Sequence, residues 1–487
     1  MRIIDWVAIF VLALTAVGVY AECYLHGVDS STMSLGVAAL VLFLFLAAPW
    51  QFQPTIAPAN RAVLALLIIA LLVAVISELI LAYSLAWTAL LWLWAGCRLT
   101  DASRARVARL LLLALFIFPW IDVDLRAVGW GMRLTGAMVS ERAFEWMGYP
   151  TTREGTLLLV AGNPVEVNEE CDGGQTLHAM LVVGLAAASV YLGPTRSMAP
   201  WIPVLVGFAW LANTLRMILI GWAAARFPGA VFFDWIHDVG GWFVIALMMG
   251  LCVACFAGWN RFRQACPTRR EQGSDSPLSW IAWQRVRDLL STHWGPLRSS
   301  RGNMTVASLL VGAATLGTLW RMVPLPDAEE RLQEFIRMSQ AAGGQEIGFN
   351  DQERRVLGAA RAVKRSLRLD HEEFVVTLID GTHNRRAVHD PLYCWTVLQS
   401  TEIPVPDGNL RVLRVVEEGF ERDVMFWYSD GVGRHASPVR YLLQASWRRA
   451  TWGRLGEEPV LILVEPRRSE RVNWFRFLDS FPWILEL

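Results

Sequence analysis

The chain has 487 residues, of which 54% are hydrophobic and only 18% charged, whereas a soluble domain carries about 25% charged residues. With a mean hydropathy of +0.36, that balance excludes a wholly soluble chain and describes a membrane protein with a soluble part. Its 44 basic and 44 acidic residues cancel, so charge singles out no acidic or basic partner, and no nucleic-acid partner is expected.

The opening stretch, MRIIDWVAIFVLALTAVGVYAE, has one basic residue and is long enough to stay in the membrane as a span. Apolar segments run near 4–22, 32–50, 62–78, 81–97, 106–121, 176–194, 200–226, 238–259 and 304–322. The block from Ala62 to Cys97 exceeds one helix, and Glu78 divides it. Nine spans result, with eight to ten compatible with the loose boundaries. The 24 tryptophans suit interfacial belts.

Basic loops set the orientation, because cytoplasmic loops carry excess Lys and Arg. RLTDASRARVAR (98–109) and RFRQACPTRR (261–270) are the two basic anchors. Counting spans from either anchor puts the N-terminus in the cytoplasm and residues 122–175 outside. It also puts the turn GPTRSMAP inside and everything after residue 322 outside. Residues 125–148 are amphipathic and form either a lid on the outer surface or an extra packed helix. Cys252 and Cys255 make a C-x-x-C within an apolar run, where polar supporting groups for a metal or dithiol are missing, so both read as packing residues.

The fold class expected is a polytopic α-helical membrane bundle followed by an extracytoplasmic α+β domain. Its parts are a bundle at 1–259, a polar cytoplasmic linker at 260–303, a further span at 304–322 and a soluble domain at 323–487. In the last part EEFVVTLID, LRVLRVVEE, RDVMFWYSD and EPVLILVEP are strand-like, and SDG after FWY reads as a hairpin turn. PDAEERLQEFIRM and QERRVLGAARAVKRSL carry helical periodicity.

Ionisable residues inside spans are costly and mark functional sites. Arg216 lies in FAWLANTLRMILIGW, about 16 residues above the cytoplasmic entry, or roughly 24 Å at ~1.5 Å per residue. That depth is the outer leaflet. Asn213 precedes it by one turn on the same face. His237 opens the next span from outside, and Cys171 opens an earlier one in EECDGGQTL. Taken singly, each has an ordinary explanation: a small apolar residue, a structural ion pair, an interfacial cap. Together they make a thiol, a proton acceptor and a cation at one depth, a set suited to acyl transfer through a thioester. Gly173 and Gly174 permit close backbone approach beside the thiol. His178, two turns below Cys171, is a second-rank proton acceptor. No metal or nucleotide motif is present, so no cofactor is expected.

These stretches resemble the exosortase/archaeosortase family of membrane cysteine transpeptidases. The resemblance runs through the thiol motif at Glu169, Cys171 and Gly173, then Asn213 and Arg216, then His237 and Gly241. One departure is Asp172, where the family has Ser or a similar small residue; a carboxylate there raises the thiol pKa unless Arg216 or His237 offsets it. The resemblance implies catalysis by Cys171, Arg216 and His237, supported by Asn213, Glu169, Gly173 and Gly241. It implies as substrates secreted proteins whose C-terminus carries a sorting motif, a transmembrane helix and a basic tail, and as location the inner (cytoplasmic) membrane. The tail from HDPLYCW onward resembles an exosortase-associated domain linked to exopolysaccharide clusters. His389 and Cys394 match its H-x-P-x-x-C-like element, as a second thiol site or, more in keeping with their isolation, a structural pair. A disulfide between Cys394 and Cys23, both outside in this topology, is compatible with an oxidising compartment. Two rivals stand beside this reading. One is a non-catalytic membrane component of exopolysaccharide assembly or export; the other is a lipid-donor acyltransferase using His237 with Asp234 or Asp238.

Overall fold

A computed structural model describes residues 30–53, 61–77, 79–154, 157–161, 163–166, 173–192, 198–227, 239–265, 325, 327–388, 391, 395–417, 420–431, 433–451, 459–467 and 471–487, with single helical positions between 12 and 23. The expected span at 304–322 lies outside these residues, as does the expected linker beyond residue 265; its first six residues, 260–265, instead continue the helix Gly241–Ala265.

The membrane part contains α1 (Ser30–Ala47), α2 (Arg61–Ser77), α3 (Ile80–Arg98), α4 (Asp101–Leu115), α5 (Trp120–Asp124), α6 (Arg126–Trp146), α7 (Gly174–Tyr191), α8 (Ile202–Arg226) and α9 (Gly241–Ala265). Four of these, α3, α7, α8 and Gly241–Phe262 within α9, are long and apolar enough to cross a membrane. The segments expected at 32–50 and 62–78 form shorter apolar helices. Each buries one stripe at helical spacing: Thr32, Ala39, Phe43 and Ala47 in α1, and Val63, Leu67, Ala70 and Ala74 in α2. The opposite stripes (Val37, Val41, Leu44 and Phe45; Leu66, Ile69 and Leu72) remain exposed for lipid.

The expected span 106–121 is corrected. Its helix, α4, starts earlier at Asp101, ends at Leu115 and is followed by a break and the short α5. Arg104, Arg106 and Arg109 occupy its first turns, so only its second half is continuously apolar.

Hydrogen bonds fix which helix ends share a level. At one end Gln53 N donates to Arg98 O and Thr100 N to Gln51 O, while Arg106 reaches Ala47 O and Pro49 O. The end of α1, the end of α3 and the basic start of α4 therefore meet. At the opposite end Leu81 N donates to Asp124 Oδ2 at 2.6 Å. There the carbonyl of Phe116, just past α4, meets His178 in the first turns of α7. The basic loop 98–109 thus lies at the far end of the bundle from the start of α7.

Residues 125–148 form the packed helix rather than a free lid. Along α6, Thr135 accepts from Trp210 Nε1 at 2.9 Å, Gly136 faces Met217, and Phe144 sits against Gly221. A small antiparallel sheet follows: β1 (Thr151–Glu154), β2 (Leu157–Val160) and β3 (Asn163–Glu166), in that order. It is tied to α6 by an ion pair between Arg153 and Glu141 at 3.1 Å. On α9, Cys252 is buried and Cys255 exposed.

The soluble domain has α10 (Glu329–Ala341), β4 (Gln345–Glu346), α11 (Asp351–Leu357), β5 (Arg361–Leu369), β6 (Glu372–Asp380), β7 (Thr396–Val405), β8 (Gly408–Glu417), β9 (Phe420–Ser429), β10 (Arg434–His435), α12 (Pro438–Ala450), β11 (Val460–Pro466), α13 (Trp474–Ser480) and α14 (Trp483–Glu486). Its mixed sheet runs β4-β5-β6-β11-β9-β10-β8-β7, with β9 also pairing β8. The SDG turn is present: Arg434 pairs Ser429 and His435 pairs Tyr428.

The continuous apolar run MFWY in β9 is explained by helices on both faces. Met425 and Trp427 enter the core under α10, α13 and α14, while Phe426 and Tyr428 enter the core under α12. The helix expected through QERRVLGAARAVKRSL is corrected. Asn350 and Glu353 form a capping box that starts α11, and Gly358, at φ +52°, ends it. Arg361 to Leu369 then pairs residue by residue with β6 as a strand. The pairing supplies backbone hydrogen bonds that outweigh the small helical preference of Ala, Arg and Lys.

The domain rests on the bundle. Strand β7 meets β1 and β2, α12 packs against α2, and Trp130 of α6 adjoins the domain's core.

His435 is buried beneath α12. Its Nδ1 accepts from Ser437 N at 3.3 Å, so Nε2 carries the proton and donates to Gln444 Oε1 at 2.9 Å. Burial, with the nearby Arg440 charge, holds its pKa below the ordinary imidazole value of 6.5, against the pull of Gln444. A lowered folded pKa means the neutral ring is the stable folded form. This contribution is complete above pH about 6.5, the unfolded value, and is lost as pH falls through the folded one. Thermal unfolding of the domain is expected to drop more steeply between neutral and mildly acidic pH in the native chain than in His435→Gln. Parallel pH profiles would refute the assignment.

Candidate active site

Two helix starts, those of α7 and α9, meet the middle of α8 toward the end of the bundle away from the basic loop. Gly173 is the cap of α7 and has φ +84°, a left-handed conformation that L side chains rarely adopt. Space is also closed there: a Cβ on Gly173 would sit 3.0 Å from Asn213 Nδ2 and 3.2 Å from Met132 Cε. Gly241, at the start of α9, is closer still to α8, since its Cβ would lie 2.6 Å from Arg216 Nε. Both glycines are therefore required by the Asn213–Arg216 face of α8, which the starts of α7 and α9 approach from two sides.

Between these ends lies a small cleft lined by Gly173, Gln175, Thr176, Ala179, Arg216, Trp242 and Ile245. Arg216, half-buried, lines it directly, and Asn213, one turn earlier on α8, is buried behind Gly173. In α8, which begins at Ile202, Arg216 is ~21 Å from the helix start at ~1.5 Å per residue. The first turn of α7 points its backbone N–H groups toward the same region, a favourable setting for developing negative charge. On its other side, Met132 is followed by Arg133, a buried guanidinium lying 4.7 Å over the Trp130 ring.

The structure thus brings Gly173, Asn213, Arg216 and Gly241 together. Glu169, Cys171, Asp172 and His237 lie outside the described residues, as do Asp234, Asp238, His389 and Cys394. Cys23 is buried.

His178 is placed elsewhere. Its Nε2 donates to Phe116 O at 2.8 Å, and its Nδ1 lies 3.5 Å from Asp122 Oδ2. Those partners come from the end cap of α4 and from α5, whereas α7 lines the cleft with Gln175, Thr176 and Ala179. The ring is turned away from the cleft and fully buried. Gln175, Thr176 and Trp242 were not singled out from sequence, although Gln175 and Trp242 directly follow a glycine pair at a helix start and Thr176 comes one residue later. Among the described residues no group of His, Cys, Asp and Glu could hold a metal ion.

The helices and the cleft at one end of them define a multi-pass α-helical membrane protein with a charged site inside its bundle. Residues 6–254 match the model of the transmembrane exosortases (EpsH), and the chain belongs to that family. No curated protein and no solved structure matches it. The family match ends within α9, so the soluble domain lies beyond it.

The Gly241 contact gives a direct test of Arg216 placement. Gly241→Ala is expected to displace the guanidinium and lower processing about 10- to 100-fold, the scale of a misplacement near 1 Å. Gly250→Ala, on the same helix with no atom within 4 Å of its Cβ, should leave activity unchanged. Equal activity of both variants in a membrane processing assay would show that Arg216 position is immaterial.

Proposed function

We propose that this exosortase is a cysteine transpeptidase that cleaves the C-terminal sorting signal of secreted proteins and passes them to an envelope acceptor. Cys171 is the nucleophile, His237 the general base and acid, and Arg216 the oxyanion partner. The carrying observation is the approach of Gly173 and Gly241 to Asn213 and Arg216. Cys171 is two residues from Gly173, and at ~3.3–3.6 Å per residue its Cα stays within about 7 Å of it. His237, four residues before Gly241, is held within about 14 Å by the same reach. Both reaches are long enough for the two groups to meet at the Arg216 face, which supports this reading.

The proposed chemistry needs nothing beyond these groups. His237 takes the Cys171 proton, and the thiolate forms an S–C bond at the scissile carbonyl. Arg216 stabilises the oxyanion, Asn213 helps orient the guanidinium, and Glu169 flanks the thiol loop. The C–N bond then breaks as His237 returns the proton to the leaving amine. An acceptor amine attacks the thioester, giving an amide and restoring the thiol. The substrate's own helix would enter sideways from the lipid bilayer. The cleft lies opposite the basic loop 98–109, which supports an extracytoplasmic site with a cytoplasmic N-terminus in the inner membrane.

Trapping the thioester tests this reading. Membranes containing the protein and a signal-bearing substrate should accumulate a substrate fragment covalently attached to Cys171. Hydroxylamine should release it as the hydroxamate. Cleaved substrate with no hydroxylamine-sensitive adduct would overturn the thioacyl route. No cleavage of any signal-bearing protein would favour a role in exopolysaccharide assembly or export.

A further inference from the structure

Helix α12 has two apolar faces, and the sheet uses only one. Tyr441 and Ala445 turn inward and are buried against Tyr428 and its neighbours. On the opposite side Val439, Leu443 and Trp447 follow one another at four-residue spacing and are 65%, 65% and 62% exposed. Leu442 widens the same strip, and exposed Arg440 lies at its edge. A helix on a water-facing domain surface ordinarily carries charge there.

The neighbour explains the difference. Helix α12 packs against α2, an apolar helix whose outward residues Leu66, Ile69 and Leu72 are themselves exposed. A stripe of that composition suits hydrocarbon rather than water, and α12 packs on the same helix. Trp447 suits the headgroup level, and Arg440 can extend its charge into water while its stem stays in lipid.

We propose that α12 is an interfacial membrane anchor, with Val439, Leu443 and Trp447 seated in the headgroup–acyl boundary of the bilayer. The soluble domain is then held down by lipid as well as by protein. It is fixed over the bundle beside Trp130 and the β1–β2 hairpin, with its position set by the membrane surface.

The test uses the full chain in vesicles of phosphatidylcholine and phosphatidylglycerol. Benzoylphenylalanine is introduced singly at Leu443 or Trp447, and at Gln340 on the opposite layer of the domain as control. After photolysis, mass analysis should find acyl-chain adducts at 443 and 447 and none at 340. Adducts to another protein or a second copy at 443 and 447 would overturn the proposal, as would equal lipid labelling at all three positions. Placement at Val439 covers a variant that fails to fold, and loss of lipid adducts at every folded α12 position would also refute the anchor.

Discussion

Replacing Cys171 with Ala is expected to abolish release of signal-bearing proteins while the protein remains in the membrane at its normal level. Losing the nucleophile of an acyl-transfer enzyme costs up to about 10⁶ in kcat, so residual processing on the order of 10⁴-fold down or lower is predicted. Position 171 lies two residues before Gly173, the glycine held left-handed against Asn213, and the substitution leaves that glycine and Gly241 in place. His237→Ala should fall nearly as far, because a thiol near pKa 8.5 is a weak nucleophile without a base. The variants also separate the rivals. A lipid-donor acyltransferase would depend on His237 and tolerate Cys171→Ala; an assembly component would tolerate both. Substrate band shifts in cells carrying each variant decide among the three.

Arg216→Gln is expected to lower kcat by about 10²–10³-fold with a smaller change in KM, the cost of removing one preorganised oxyanion partner. Glutamine keeps hydrogen-bonding capacity but not charge, and the charge must act inside a half-dry bundle where it is strongest. Arg216→Lys should recover only part of the loss, since an ammonium lacks the planar fork that Gly241 receives at close range. A KM effect alone, with kcat intact, would make Arg216 a substrate-binding residue. Full activity of both variants would remove it from the mechanism.

Much of this architecture was legible in the residues because the membrane penalises polar groups. Arg216 and Asn213 stood out within an apolar helix, and the helix brings them to the cleft. Gly173 and Gly241 were legible as glycines beside candidate residues, but the reason for them is a contact with α8 that no local pattern shows. His178 was legible only as a histidine near the thiol. Its direction is set by Phe116 and Asp122, from the end cap of α4 and from α5, partners more than 50 residues away in sequence.

The soluble domain divides in the same way. The strands β6, β8, β9 and β11 were legible from apolar and β-branched runs, whereas the burial of MFWY on both faces follows from the helices that cover them. Strand β5 was not. ARAVKRSL has helix-forming composition, and only pairing with β6 makes it extended. The seat of the domain on Trp130 and α2 is likewise written in contacts between distant segments.

The central claim is that Cys171 and His237 face one another across Arg216. The most direct measurement introduces His237→Cys and treats membranes with a short bifunctional thiol reagent. A crosslink between positions 171 and 237, absent when Cys171 is Ala, is the predicted result. Failure to crosslink, with both thiols individually reactive toward a monofunctional reagent, would contradict the account.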